Sequence, residues 1–132
     1  MDILAALFVE NIGQRQVAGP ATRIDLTGVM FSLAAPSPPP VTISPHLVVL
    51  IRCREDEPGT GTLEVVFLDG AGQEVARNVQ PVMVQPGKFG RQLVKGDLTY
   101  PDYGTVEAHC RVDGGSPVVV PLTLLPPAAA PV

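Results

Sequence analysis

Chemistry in this chain would have to come from two cysteines, two histidines, one acidic run and a few glycine turns. Cys53 shares strand parity with Leu47, Val49 and Ile51, and Cys110 shares it with Val106 and Ala108. Both are therefore expected inside, as small hydrophobes; a reactive thiolate needs partial exposure and a neighbouring positive group. His46 follows Ser44-Pro45 at the mouth of a strand, and His109 lies between Glu107 and Arg111 on an outward face. Adjacent residues of a strand point to opposite faces, so His109 and Cys110 cannot close on one metal with His46. Both histidines read as solvated. Glu55-Asp56-Glu57 lacks the spaced Asp/Asn ligands of a calcium loop and reads as a turn. Gly59-Thr60-Gly61 and Gly70-Ala71-Gly72 lack the Lys-Ser/Thr and the following helix of a phosphate loop, so they too read as turns. No serine sits in a Gly-x-Ser-x-Gly elbow and no paired carboxylates flank a histidine. The expectation is a chain that is not an enzyme and needs no cofactor or metal.

The elements that carry these residues read as strands. His46-Leu47-Val48-Val49-Leu50-Ile51-Arg52-Cys53-Arg54 and Leu63-Glu64-Val65-Val66-Phe67-Leu68, joined by the acidic turn, are dense in aliphatics and bounded by turn residues, the pattern of a central hairpin. Met1 to Glu10 reads as a strand ending at an Asn11-Ile12-Gly13-Gln14 turn. Arg23-Ile24-Asp25-Leu26-Thr27 alternates, and Val29, Phe31 and Leu33 continue on the opposite parity, which a bulge at Gly28 would correct. Ala34 to Pro40 is a polyproline-type connector. Val79 to Val84, interrupted by Pro81, belongs at an edge. Leu93 to Tyr100 is a strand with Gly96 inside it. Thr105 to Val112 alternates cleanly, and Asp113-Gly114-Gly115 turns it onto Val118 to Leu124.

Together these predict an all-β, immunoglobulin-like, two-sheet antiparallel β-sandwich of about seven to nine strands. Residues 1–125 form its single domain and 126–132 a disordered Pro/Ala tail. The length of 132 residues fits one core.

Composition removes several functions. Nine Lys/Arg against thirteen Asp/Glu give a net charge of −4, the wrong sign for a phosphate-backbone surface, so no nucleic acid is expected as a partner. Aromatics are 5% with no Trp, which disfavours sugar or base stacking. No apolar run reaches the roughly 18 residues of a membrane span, and the opening Met1-Asp2-Ile3 has the wrong charge for a secretory leader. No membrane insertion is expected, and a cytoplasmic location is.

If Leu47, Val49 and Ile51 face the core, Val48 and Leu50 face outward, and Val66 and Leu68 repeat the pattern on the next strand. Four aliphatics on neighbouring strands would make a patch that needs a cover, either the chain's own Pro-rich and terminal segments or another chain.

Three stretches, Met1-Asp2-Ile3-Leu4-Ala5-Ala6-Leu7-Phe8, Leu47-Val48-Val49-Leu50 leading to Val65-Val66-Phe67-Leu68-Asp69-Gly70-Ala71-Gly72-Gln73-Glu74-Val75, and Val112-Asp113-Gly114-Gly115, resemble a family of uncharacterised bacterial β-sandwich proteins of this length. The resemblance covers most of the chain up to Leu125. It implies a cytoplasmic immunoglobulin-like sandwich and carries no activity. The function expected is a binding or assembly module whose partner is protein, itself or a larger complex, met through a sheet face bearing Val48, Leu50, Val66 and Leu68. The alternative is an extracellular adhesion or carbohydrate-binding module with Cys53 and Cys110 bridged, because their separation is close to that of the inter-sheet immunoglobulin disulfide.

Overall fold

Apolar–polar alternation organises the chain into β1 (Asp2–Gln16), β2 (Thr22–Met30), β3 (Ser32–Ala34), β4 (Val41–Ile43), β5 (His46–Arg52), β6 (Thr60–Leu68), β7 (Glu74–Met83), β8 (Phe89–Lys95), β9 (Leu98–Tyr100), β10 (Gly104–Val112) and β11 (Val118–Leu125). The computed structural model describes residues 1–16, 19 and 21–127, and among them there is no helix. The expected tail falls, from residue 128 on, outside the described residues.

The strands form a first sheet ordered β2-β1-β5-β8, a second ordered β3-β11-β10-β6-β7, and a small pair β4-β9. Neighbours are antiparallel except β3, which runs parallel to β11. The all-β class holds, but the expected two antiparallel sheets of seven to nine strands become, among the described residues, three sheets of eleven strands with one parallel contact. β4 is new and is three residues long, too short for any periodicity to register, while β3 and β9, also three residues each, are the ends of expected strands that pair in other sheets. β4 and β9 pair as Val41↔Tyr100 and Ile43↔Leu98. The strand expected from Leu93 to Tyr100 is thereby split at Gly96 between two sheets.

One apolar core lies between the two large sheets. The first sheet contributes Phe8, Leu47, Val49 and Ile51, and the second contributes Leu63, Val65, Phe67, Val106, Ala108, Cys110, Val120, Leu122 and Leu124. Leu98 and Tyr100 from the small pair close one end. Among the described residues no polar or charged residue is buried with them, so aliphatic volume and two phenylalanines, Phe8 and Phe67, supply the burial that stabilises the fold. The buried tyrosine keeps its hydroxyl satisfied: Tyr100 Oη–H donates to the Leu122 carbonyl at 2.8 Å.

The segment expected to be the central hairpin is not one. β5 pairs with β1 and β8, whereas β6 pairs with β10 and β7, so residues 53–59 carry the chain from one sheet across the core to the other. Its turn is locked by Glu57 N–H to the Arg54 carbonyl at 3.1 Å and Arg54 N–H to Glu57 Oε1 at 3.1 Å. Gly59, at φ +83, offers its carbonyl to Val84 N–H at 2.9 Å; a Cβ there would stand 2.8 Å from the Val84 oxygen. A sheet-crossing arch and a hairpin share the same apolar–turn–apolar pattern, and only the pairing partners separate them.

β1 also differs from expectation. It runs through Asn11-Ile12-Gly13-Gln14 without turning, paired with β2 in one unbroken register from Phe8↔Met30 to Gln16↔Thr22. No bulge forms at Gly28; the irregularity in β1 falls between Ile3 and Ala5. The edge strand containing Pro81 is found as expected, in β7 at the border of the second sheet, and β10 alternates as expected, with Val106, Ala108, Cys110 and Val112 buried.

This core makes a graded prediction. Phe67→Ala should lower unfolding free energy by about 3–5 kcal/mol in chemical denaturation, while Val79→Ala, on a side chain 56% exposed, should stay within about 0.5 kcal/mol. Equal effects at the two sites would overturn the assignment of the core.

Candidate interaction surface

The four aliphatics expected to form one patch are placed on two opposite outer faces. Val48 and Leu50 lie on the outer face of the first sheet, and Val66 and Leu68 on the outer face of the second, because their strands belong to different sheets. Val48 is not exposed at all: its relative exposure is 1%, and so is that of Val9. Neither belongs to the core between the sheets, so a second layer covers them from outside. Leu50, Val66 and Leu68 are half-buried.

The cover is the far half of the β1–β2 hairpin. β1 stays paired to β5 as far as Val9↔His46, and beyond it residues 11–16 pair with β2 alone. A straight β1 would carry Gln14 roughly 17 Å past the sheet border, away from Leu50. Instead Arg91 Nη2 donates to Gln14 Oε1 at 2.6 Å, and Arg91 is the partner of Leu50 on the neighbouring strand. The arm is therefore folded back across the outer face. Its pairs Ile12↔Leu26 and Gln14↔Ile24 share one side, and Asn11↔Thr27, Gly13↔Asp25 and Arg15↔Arg23 the other. Ile12 and Leu26 are half-buried, while the second side carries an exposed Arg15–Asp25 ion pair at 2.8 Å. The arm is amphipathic, apolar side down.

The cover is incomplete. Beyond the arm's edge a cleft of about 190 Å³ is lined by Gln14, Ile24, Leu50, Phe89, Gly90 and Arg91. Around it Phe89 is 68% exposed, Leu4 51% and Ile24 42%. Leu4 is the residue at the irregularity of β1, beside Leu50. Of the residues expected from the sequence, Leu50 alone stands in this patch. Ile24, Leu4 and Phe89 were missed, although the strict alternation Arg23-Ile24-Asp25-Leu26-Thr27 signalled a strand with one apolar side.

The outer face of the second sheet is charged and self-paired. Arg77 bridges Glu64 at 3.0 Å and Glu74 at 2.6 Å, and its hydrogen bond to Glu74 holds that carboxyl below its ordinary value. Val66 lies between Arg77 and His109 in the register, and His109 Nε2 sits 3.4 Å from Glu107 Oε1. A cleft of about 400 Å³ lies here against Leu68, Asp69, Thr105, Glu107 and His109. Its Asp69 carboxylate accepts from the Ala71 and Gln73 N–H groups, each at 2.9 Å, which fixes the β6–β7 turn. Its Thr105 hydroxyl is shared with Thr123 at 2.7 Å.

The remaining reactive side chains stay apart. His46 begins β5 in the first sheet and His109 lies on the second, so they do not converge. Glu57 of the acidic run takes the Met1 ammonium and the Arg54 N–H, and these bonds hold its carboxyl below the ordinary value. Among the described residues no three His, Cys, Asp or Glu side chains cluster as metal ligands, and no helix is long and apolar enough to cross a membrane. Cys53 and Cys110 are both buried, and both are free thiols; burial pushes the Cys110 thiol up to about 12. No family model and no curated protein matches the chain.

Two measurements follow. Denatured without reductant, the protein should titrate two thiols, and the folded protein should react with a maleimide at neither; a denatured chain with no free thiol would establish a bridge. Burial also pushes the Tyr100 phenol up to about 12. Between their ordinary values of 9.0 and 10.0 and the folded value of about 12, the unfolded chain loses these protons while the folded chain keeps them. Stability should therefore be full below pH 9 and fall as pH rises toward 12. Denaturation midpoints that stay flat across that window would refute the burial of both groups.

Proposed function

We propose that this chain is a non-enzymatic binding or assembly module, an immunoglobulin-like sandwich of the cytoplasm that associates with a second copy of itself through the outer face of its first sheet. The observation that carries this is the apolar patch of Leu4, Ile24, Leu50 and Phe89 around the half-covered groove. Large apolar side chains gathered on one face, rather than scattered singly, mark an interaction surface. Burying Phe89 alone would contribute about 1.5–3 kcal/mol.

The immunoglobulin-like reading is supported by strand order. β1-β5-β8 facing β11-β10-β6-β7 corresponds to strands A, B and E facing G, F, C and C′. The free thiols on β10 and at the end of β5 support a reducing compartment.

A second set of exposed apolar residues, Val79 and Met83, lies on the edge strand β7. Pro81 removes a donor there and Arg77 holds charge over the strand, both devices that discourage edge pairing.

The test is the sedimentation of Phe89→Glu beside the wild type. The wild type should dimerise, and Phe89→Glu should weaken the dimer by roughly a hundredfold, about 2.7 kcal/mol. Val119→Glu, at a 43% exposed site on the other outer face, should leave it unchanged. A wild type that is monomeric at every concentration, or a Phe89→Glu protein that dimerises normally, would sink the proposal.

A further inference from the structure

The groove on the first sheet already has an occupant, and that occupant is attached by a hinge rather than woven into the sheet. Residues 11–16 and 22–27 pair with each other and meet the rest of the first sheet by lying on its outer face. Arg91 Nη2 donates to Gln14 Oε1 between sheet and arm, and Leu50 lines the cleft beside them with Gln14 and Ile24. At the bend, Gly28 has φ +65, and a Cβ on it would stand 2.5 Å from Glu10 Cδ. The bend thus depends on a glycine at one position of β2, with the Glu10 side chain laid into the space the glycine leaves.

We infer that the β1–β2 arm is an exchangeable element, and that the second copy docks by laying its arm in this chain's groove while receiving this chain's arm in return. The inference rests on the self-association proposed above and supplies its mechanism. An arm from an identical chain offers the same Ile12, Gln14, Ile24 and Leu26 to the same Val48, Leu50 and Arg91, so the complementarity of arm and groove is preserved and only the hinge changes. Exchange also explains where the uncovered residues lie. Phe89 and Leu4 border the arm and Ile24 lies on it, where the body of a partner standing across the groove would cover them, so the exchanged arms and the patch form one continuous interface. Association then costs the freedom of two chains, which these additional buried groups offset.

The experiment is a Gln14→Cys/Arg91→Cys protein treated with a short bismaleimide, with the dimer and monomer fractions separated first by size. The native thiols are buried, and the wild type treated in parallel controls for them. In the dimer fraction the link should join two chains, so the product runs as a covalent dimer in denaturant; in the monomer fraction it should be internal. A dimer fraction whose links are all internal would overturn arm exchange while leaving self-association standing. A protein that is monomeric throughout, with internal links alone, would overturn both. Gly28→Ala gives a second readout, because a Cβ at this φ disfavours the bent hinge. It should tighten the dimer roughly tenfold. An unchanged or weaker dimer from a Gly28→Ala protein that melts cooperatively would count against the hinge.

Discussion

The constraint on which this structure depends is that β5 is apolar on both faces. Leu47, Val49 and Ile51 point into the core and Val48 points the other way, and all four are essentially inaccessible to solvent. A strand with one apolar face needs one cover, whereas β5 needs two. The second sheet supplies the inner one. No helix is present among the described residues to supply the outer one, and the chain meets that demand by lengthening its first hairpin and folding the excess back. The long β1, the bend at Gly28 and the amphipathic arm are consequences of the same aliphatic run.

The two outer faces consequently carry different side chains. That of the second sheet is left open, with Glu64, Arg77, Glu107 and His109 on it, and Arg77 is paired with Glu64 across the strands and with Glu74 along its own strand. The pairs are exposed and each contributes little to stability; they serve to keep Val66 and Leu68 separated by charge. The outer face of the first sheet is apolar and largely closed by the arm, whose exposed side takes over the polar role with Arg15 and Asp25. A charged face can remain solvated. An apolar face that is half-covered keeps Phe89, Leu4 and Ile24 in contact with solvent.

Much of this was legible from the residues. The inward parity of Leu63, Val65, Phe67, Val106, Ala108 and Cys110 follows from alternation alone and is the parity observed. The edge position of β7 follows from Pro81, and the solvated turn at Asp69 from its glycines. What alternation could not supply is pairing. The arch at residues 53–59 was mistaken for a hairpin because local sequence records that the chain turns, not which strand lies beside it afterwards. That single misassignment merged Val48 and Leu50 with Val66 and Leu68 into one patch. The arm was lost for a related reason: Asn11, Gly13 and Gln14 have turn propensity, but their cross-strand partners Thr27, Asp25 and Ile24 hold them extended, a tertiary override of local preference.

The same physics separates Leu50 from Val48. Both sit on the outer parity of β5, but Val48 is 1% exposed, and Leu50 lies one pleat further along, half-buried in the cleft with Gln14 and Ile24. Exposure on this face runs from Val9 and Val48 at 1% to Phe89 at 68%, and the exposed end is the one bordered by the cleft.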